Sequence, residues 1–117
     1  MIQSSEFIRG YSEIMIMAIL TKKDSYVYEI VSLINKLSSG QINISNPSTM
    51  VILKKMIEED KVTTYDGSND RSVTRKYYRL TKYAILEYER TKQDYIDSLI
   101  SMQKIIEGRF ALDERQD

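Results

Sequence analysis

The chain has 117 residues, 42% of them apolar, and its 17 Lys and Arg balance 17 Asp and Glu. That suits one folded domain with a modest core, and net charge alone points to no nucleic-acid, membrane or acidic partner. Cys and His are both absent, which removes a disulfide framework, the usual zinc ligands, a thiol nucleophile and an imidazole base.

No metal, cofactor or membrane association is expected. The longest apolar run, Ile14 to Leu20, is far short of the ~20 residues that span a bilayer. The first residues lack the basic n-region of a secretory signal, so the expected location is the cytoplasm, which the lack of Cys also suits.

Phe7, Tyr11, Ile14, Met15, Ala18 and Ile19 recur at spacings of three and four, predicting a first helix from Ser5 to Leu20. Asp24 or Ser25 is positioned to cap a second helix, from Tyr26 to Leu37, with Val27, Ile30, Val31, Ile34 and Leu37 as its apolar stripe. Gly40 suits a left-handed cap after it, and Gln41 to Ile44 alternates like a very short strand. Asn46 before Pro47 signals the start of a third helix, from Pro47 to Glu59. Its expected inner residues are Met50, Leu53, Met56 and Ile57, with Ser48, Val51, Ile52 and Lys55 largely on the other side.

Val62 to Tyr65 and Arg75 to Leu80 read as two strands of a hairpin, with DGSND supplying the turn. Thr81 then caps a long last helix reaching Glu107. Ile85, Tyr88, Tyr95, Leu99, Met102 and Ile106 keep a near-heptad rhythm, interrupted at Lys92. Such a helix is about 40 Å long at ~1.5 Å per residue, more stripe than a small domain covers alone. Its simplest partner is a second copy, with Tyr95, Leu99, Met102 and Ile106 at the dimer interface.

The expected fold is mainly α with a small β-hairpin (α+β): a winged helix-turn-helix over residues 1–80, a dimerisation helix over 81–108 and a flexible tail over 109–117. In that order of elements the third helix enters the DNA major groove and the hairpin wing meets the backbone. Local charge agrees. Arg71, Arg75, Lys76, Arg79 and Lys82 occur in a stretch without an acidic residue, and the third helix adds Lys54 and Lys55. Phosphate contacts need such cations; the plainer reading is a solvated face. Ser48 and Thr49 sit in the first turn of the third helix, where hydroxyls and free N–H groups meet phosphates or base edges. The candidate DNA-contacting residues are Asn46, Ser48, Thr49, Lys54, Lys55, Arg75, Lys76 and Tyr77. For Tyr77 two readings stay open, a phosphate contact and simple sheet packing, whereas Tyr78 and Leu80 read as core. Scattered glycines and solvated acid pairs offer no parts for an enzyme.

DSYVYEI (Asp24 to Ile30), ILKKMIEED (Ile52 to Asp60) and above all RKYYRLT (Arg75 to Thr81) resemble the PadR family of bacterial transcription regulators. The likeness runs in order from Glu6 to Glu107. It implies a sequence-specific DNA-binding homodimer, most often a repressor, with helix 1 packed against the partner's last helix. The length suits the subgroup that includes repressors of multidrug-transporter genes. Tyr95 matches a position where multidrug-sensing relatives carry a central tryptophan, and Phe7, Ile14, Tyr88 and Tyr95 can line an aromatic cavity for a flat or cationic effector. A filled interface without a pocket is the competing reading. The chain departs from the family where Ser48, Thr49 and Met50 replace a Thr-Leu-Tyr run, at Ser72 and Val73 in the wing, and where Asp60 stands for a glycine. The alternative function is a winged-helix protein-interaction module that never binds DNA, with an efflux-linked drug-binding protein as a third.

Overall fold

The computed structural model describes residues 5–68 and 71–113, with side chains from Gly10 onward. The chain runs α1 (Ser5–Lys22), α2 (Val27–Leu37), α3 (Asn46–Glu58), β1 (Val62–Ser68), β2 (Thr74–Leu80) and α4 (Lys82–Ile106). Four helices and one antiparallel hairpin give the α+β winged-helix arrangement predicted.

The core gathers residues from every element. Ile16, Met17, Ile19 and Leu20 of α1 meet Ile30 and Ile34 of α2, Leu53 and Met56 of α3, Val62, Tyr78 and Leu80 of the hairpin, and Ala84 of α4. Leu37, expected on the inner stripe of α2, is 74% exposed. Gly40 has the predicted left-handed backbone, but shares it with Ser39 before it. The stretch Gln41 to Ile44 is not a strand; it crosses irregularly to α3 and plants Ile44 in the core.

Three expectations near the helix starts change. Tyr26, not Asp24 or Ser25, is the N-cap of α2, and its side chain makes no capping bond. Ser25 instead pairs with β2. The Tyr78 N–H donates to the Ser25 carbonyl at 2.8 Å, and the Ser25 N–H donates back at 3.3 Å. Ser45, not Asn46, caps α3, accepting the Ser48 N–H at 3.1 Å, so Asn46 and Pro47 open the helix.

The inner face of α3 is also rotated from the expected one. Thr49, Leu53 and Met56 are buried, while Met50 is 56% and Ile57 38% exposed. Threonine can take the inward place because its hydroxyl donates to the Ser45 carbonyl at 2.9 Å, leaving only a methyl to bury. Asp60, at the position where a glycine was noted as usual, adopts a left-handed φ of 59°.

The hairpin is longer than predicted. Its register runs from Val62↔Leu80 to Ser68↔Thr74, so Asp66, Gly67 and Ser68 are strand, not turn. Gly67 serves a ring: a Cβ there would lie 2.8 Å from Cδ2 of Tyr77. Glycine here lets the aromatic side chain lie over the neighbouring strand.

Thr81 alone separates β2 from α4. Its hydroxyl accepts the Ala84 N–H at 3.2 Å and donates to the Asp60 carbonyl at 2.8 Å, while its N–H donates to the Lys61 carbonyl at 3.0 Å. Lys61 is a second junction. Its ammonium lies 2.9 Å from Glu13 on α1, 3.2 Å from Glu87 on α4 and 3.6 Å from Glu59. Burial acts to lower its pKa, but the bonds and charges of Glu13 and Glu87 outweigh that and hold it above the ordinary lysine value. Beyond α4, Arg109 to Asp113 is irregular and exposed.

Candidate nucleic-acid interface and the adjoining cleft

At ~100° per residue, the buried Thr49, Leu53 and Met56 fix which way α3 faces. Val51 lies at the middle of the opposite face, with Ser48 a turn before it and Lys54 and Lys55 a turn after. All four are exposed. Of the sequence candidates on this helix, Ser48, Lys54 and Lys55 reach solvent and Asn46 is half-buried. Thr49 is fully buried, so it supports the helix and its side chain offers no surface to a ligand.

The hairpin divides its cations between two tasks. Arg75 and Lys76 are exposed, with the Arg75 guanidinium 5.6 Å from the Tyr26 ring and the Lys76 ammonium 6.0 Å from the Tyr78 ring. Arg79 is committed within the chain. The Asp24 carboxylate accepts its Nε and Nη2 at 2.9 Å each, and also the Tyr65 hydroxyl at 2.6 Å. The guanidinium lies 4.9 Å from the Tyr65 ring. The bond to Asp24, aided by desolvation, raises the Tyr65 phenol above the ordinary tyrosine pKa.

Tyr77 is half-buried between rings. It stacks on Tyr65 with centroids 5.6 Å apart and planes 12° from parallel, and meets Tyr26 edge-on at 5.5 Å. This contact set makes its packing role the observed one: Tyr77 ties the hairpin to the start of α2. Tyr78 is core, as expected.

Lys23, between α1 and α2, is a cation that no sequence motif singles out. It lines a polar groove of about 430 Å³ between the start of α2 and the hairpin, with Arg71, Arg75, Tyr26 and Tyr77. Glu29 pairs with Lys23 at 3.2 Å on the same groove. The only sequence signal was the doubled lysine before a helix start.

Behind this face α1 packs on α4 of the same chain. A cleft of about 280 Å³ opens between them, its walls almost wholly apolar, with Tyr11, Ile14, Tyr88, Lys92, Tyr95 and Leu99 among its lining. Ile14, Tyr88 and Tyr95 were sequence candidates; the Phe7 side chain lies outside the described residues. Tyr11 and Lys92 were not singled out. Tyr11 meets Tyr95 edge-on at 6.0 Å and donates its hydroxyl toward the Met102 sulfur at 3.5 Å. The Lys92 ammonium lies 5.3 Å from the Tyr88 ring, so the residue that interrupted the heptad rhythm places a cation at an aromatic wall. Leu99 at the edge of the cleft and Met102 and Ile106 beyond it are exposed, joined by Ile100 and Ile105, which the heptad pattern omits.

Among the described residues no helix is long and apolar enough to cross a membrane. The chain is similar to an uncharacterised protein of Lysinibacillus sphaericus, 27% identical over 77 residues that cover 66% of this chain and 71% of that one. Its fold is similar to that of a PadR-like transcriptional regulator from Bacillus cereus, with TM-score 0.74, 22% identity and coverage of 87% and 97% of the two chains. A PadR family transcription regulator from Clostridium difficile is 26% identical, with TM-score 0.66 over 82% of this chain and 98% of that one. A Streptococcus mutans protein of solved structure is 31% identical, with TM-score 0.68 over 86% and 91%. Residues 16–87, well over half of the sequence, match the transcriptional regulator PadR-like family. With the winged-helix fold and its exposed cations already described, that match settles what kind of protein this is: the chain belongs to the PadR-like family of transcriptional regulators, a family of regulators and not of enzymes.

Proposed function

We propose that the protein is a cytoplasmic, homodimeric repressor that binds a specific operator and is released from it by a small aromatic or cationic effector. Residues 1–80 serve as the DNA-binding unit and residues 81–108 as the dimerisation helix. The observation that carries the reading is the outward placement of Lys54 and Lys55 on α3 and of Arg75 and Lys76 on β2, on a chain whose net charge is zero. Those cations neutralise phosphates and release counterions, while the N-terminal half of α3 faces the base edges. Two copies joined through α4 address two half-sites about one turn (~34 Å) apart. The α1–α4 cleft takes the effector, its tyrosines stacking on a flat ring and its walls excluding water. A bound effector changes DNA affinity only by its differential affinity for the two arrangements of the dimer.

The test is a gel-shift and footprinting series on the region upstream of the protein's own gene, against a scrambled duplex, at several salt concentrations. The expected result is a protected two-part site whose log affinity falls with log salt by about 0.9 per phosphate neutralised. Equal, weak binding to both duplexes would leave the long helix as a protein-docking element and overturn operator recognition.

A further inference from the structure

We infer that Val51, with Met50 beside it, reads the 5-methyl group of thymine in the operator. The inference rests on the reading of α3 as the helix that enters the major groove. Val51 is 70% and Met50 56% exposed, although both are apolar and both follow directly on the buried Thr49. Val51 occupies the middle of the outward face, where the helix approaches most closely anything it docks against. Its neighbours on that face are Ser48, Lys54 and Lys55, which hydrogen-bond and neutralise phosphate.

Valine has no hydrogen-bonding group and can read no donor or acceptor pattern. The one apolar group that the four bases present in the major groove is the thymine methyl. A protein partner fits the patch poorly. Three apolar residues, Val51, Met50 and the less exposed Ile57, with Lys54 and Lys55 among them, fall far short of the ~800 Å² per side of a stable protein interface. The surrounding cations, with Arg75 and Lys76 on the hairpin, instead select a polyanion. Duplex DNA is the polyanion that also carries methyl groups at the depth an α-helix reaches.

The reading changes what α3 specifies. Ser48 accepts or donates to several base edges and discriminates weakly, whereas a methyl-to-isopropyl contact separates thymine from cytosine at one defined position in each half-site.

The probe is the footprinted operator with single thymines replaced by deoxyuracil, which removes the methyl and keeps every hydrogen-bonding group. One symmetry-related pair of positions is expected to show a loss of about fourfold per contacted methyl, the equivalent of one buried carbon group. The variant Val51→Ala is expected to bind the natural operator as weakly as the unaltered protein binds that uracil duplex, and to lose little more when uracil is introduced. Such a double cycle separates a direct contact from an effect of uracil on duplex shape, which Val51→Ala would leave intact. Because Val51 is exposed, thermal unfolding of the variant should match the parent and so establish that it folds. Undiminished affinity for every uracil duplex, or the same uracil loss in Val51→Ala as in the parent, would overturn the inference while leaving operator binding standing. Failure of the parent to prefer the natural operator at all would overturn both.

Discussion

α3 and the outer half of α4 both turn apolar side chains to solvent, but in different company. On α3 there are three, Met50, Val51 and, least exposed, Ile57, set among Ser48, Lys54 and Lys55. On α4 they recur from Ile96 through Leu99, Ile100, Met102 and Ile105 to Ile106, and the charges between them, Asp97 and Lys104, have both signs. A small apolar spot in a cationic field suits a polyanion that carries a few methyl groups. A long stripe with mixed charges suits another helix of the same kind. The lesson is that exposure of an apolar residue says little until the size of its patch and the sign of its neighbours are known.

The difference can be broken most severely on α4. Leu99→Asp places a charge in the middle of the stripe, and in the proposed dimer it does so twice. Self-association should weaken at least a hundredfold, about 2.7 kcal/mol, and tight operator binding should go with it. Sedimentation that still shows a full dimer would remove the stripe from the interface.

Next in size is the junction that joins the two regions. Lys61→Met leaves Glu13 and Glu87 facing each other across the base of α4 without their shared cation. Stability should fall by about 2 kcal/mol, less than for a fully buried pair because both carboxylates keep some exposure. Denaturant midpoints would measure it, and an unchanged midpoint would reduce the junction to a surface ion pair.

A gentler cut falls on the DNA side. Arg75→Ala with Lys76→Ala should leave the dimer intact, weaken binding to all sequences alike and lower the salt slope by about 1.8, two phosphates at ~0.9 each. A slope equal to that of the parent would take the hairpin off the DNA.

The smallest effect concerns pH. Tyr65 has a phenol raised above the ordinary value of about 10, chiefly by its bond to Asp24. The stabilisation it brings is therefore complete below the unfolded tyrosine pKa and is lost as pH rises through the higher folded value. Stability measured into the alkaline range should decline less steeply in Tyr65→Phe than in the parent; identical slopes would mean the bond is not maintained in solution.

Much of this was legible in the sequence because it is local. Spacings of three and four located the helices, and Thr81 announced the start of α4 and caps it. The rotation of α3 was not legible, because the stripes through Met50 and Thr49 differ by one position and share Leu53. Counting apolar side chains favours methionine, whereas the structure uses a threonine whose hydroxyl is already satisfied by Ser45. Likewise DGS reads as a turn by composition, but its glycine makes room for the Tyr77 ring. Asp24 looked like a helix cap because its partners, Tyr65 and Arg79, lie 41 and 55 residues away, beyond the reach of any local pattern. The Tyr11 contribution to the cleft was hidden for the same reason, since it needs α1 packed on α4; Lys92 lies one turn from Tyr88, but the cleft that it faces exists only through that packing.

Thr81 carries a mechanical consequence. A joint one residue long, bonded to Asp60, Lys61 and Ala84, has almost no slack to lose. Two hairpins carried on paired α4 helices would therefore sit at a set separation instead of sampling the broad distribution that a flexible tether allows. In the proposed dimer the second half-site would then be met at a high effective concentration when the operator spacing matches. When the spacing is wrong by even a few base pairs, that advantage is lost and no linker is present to absorb the error.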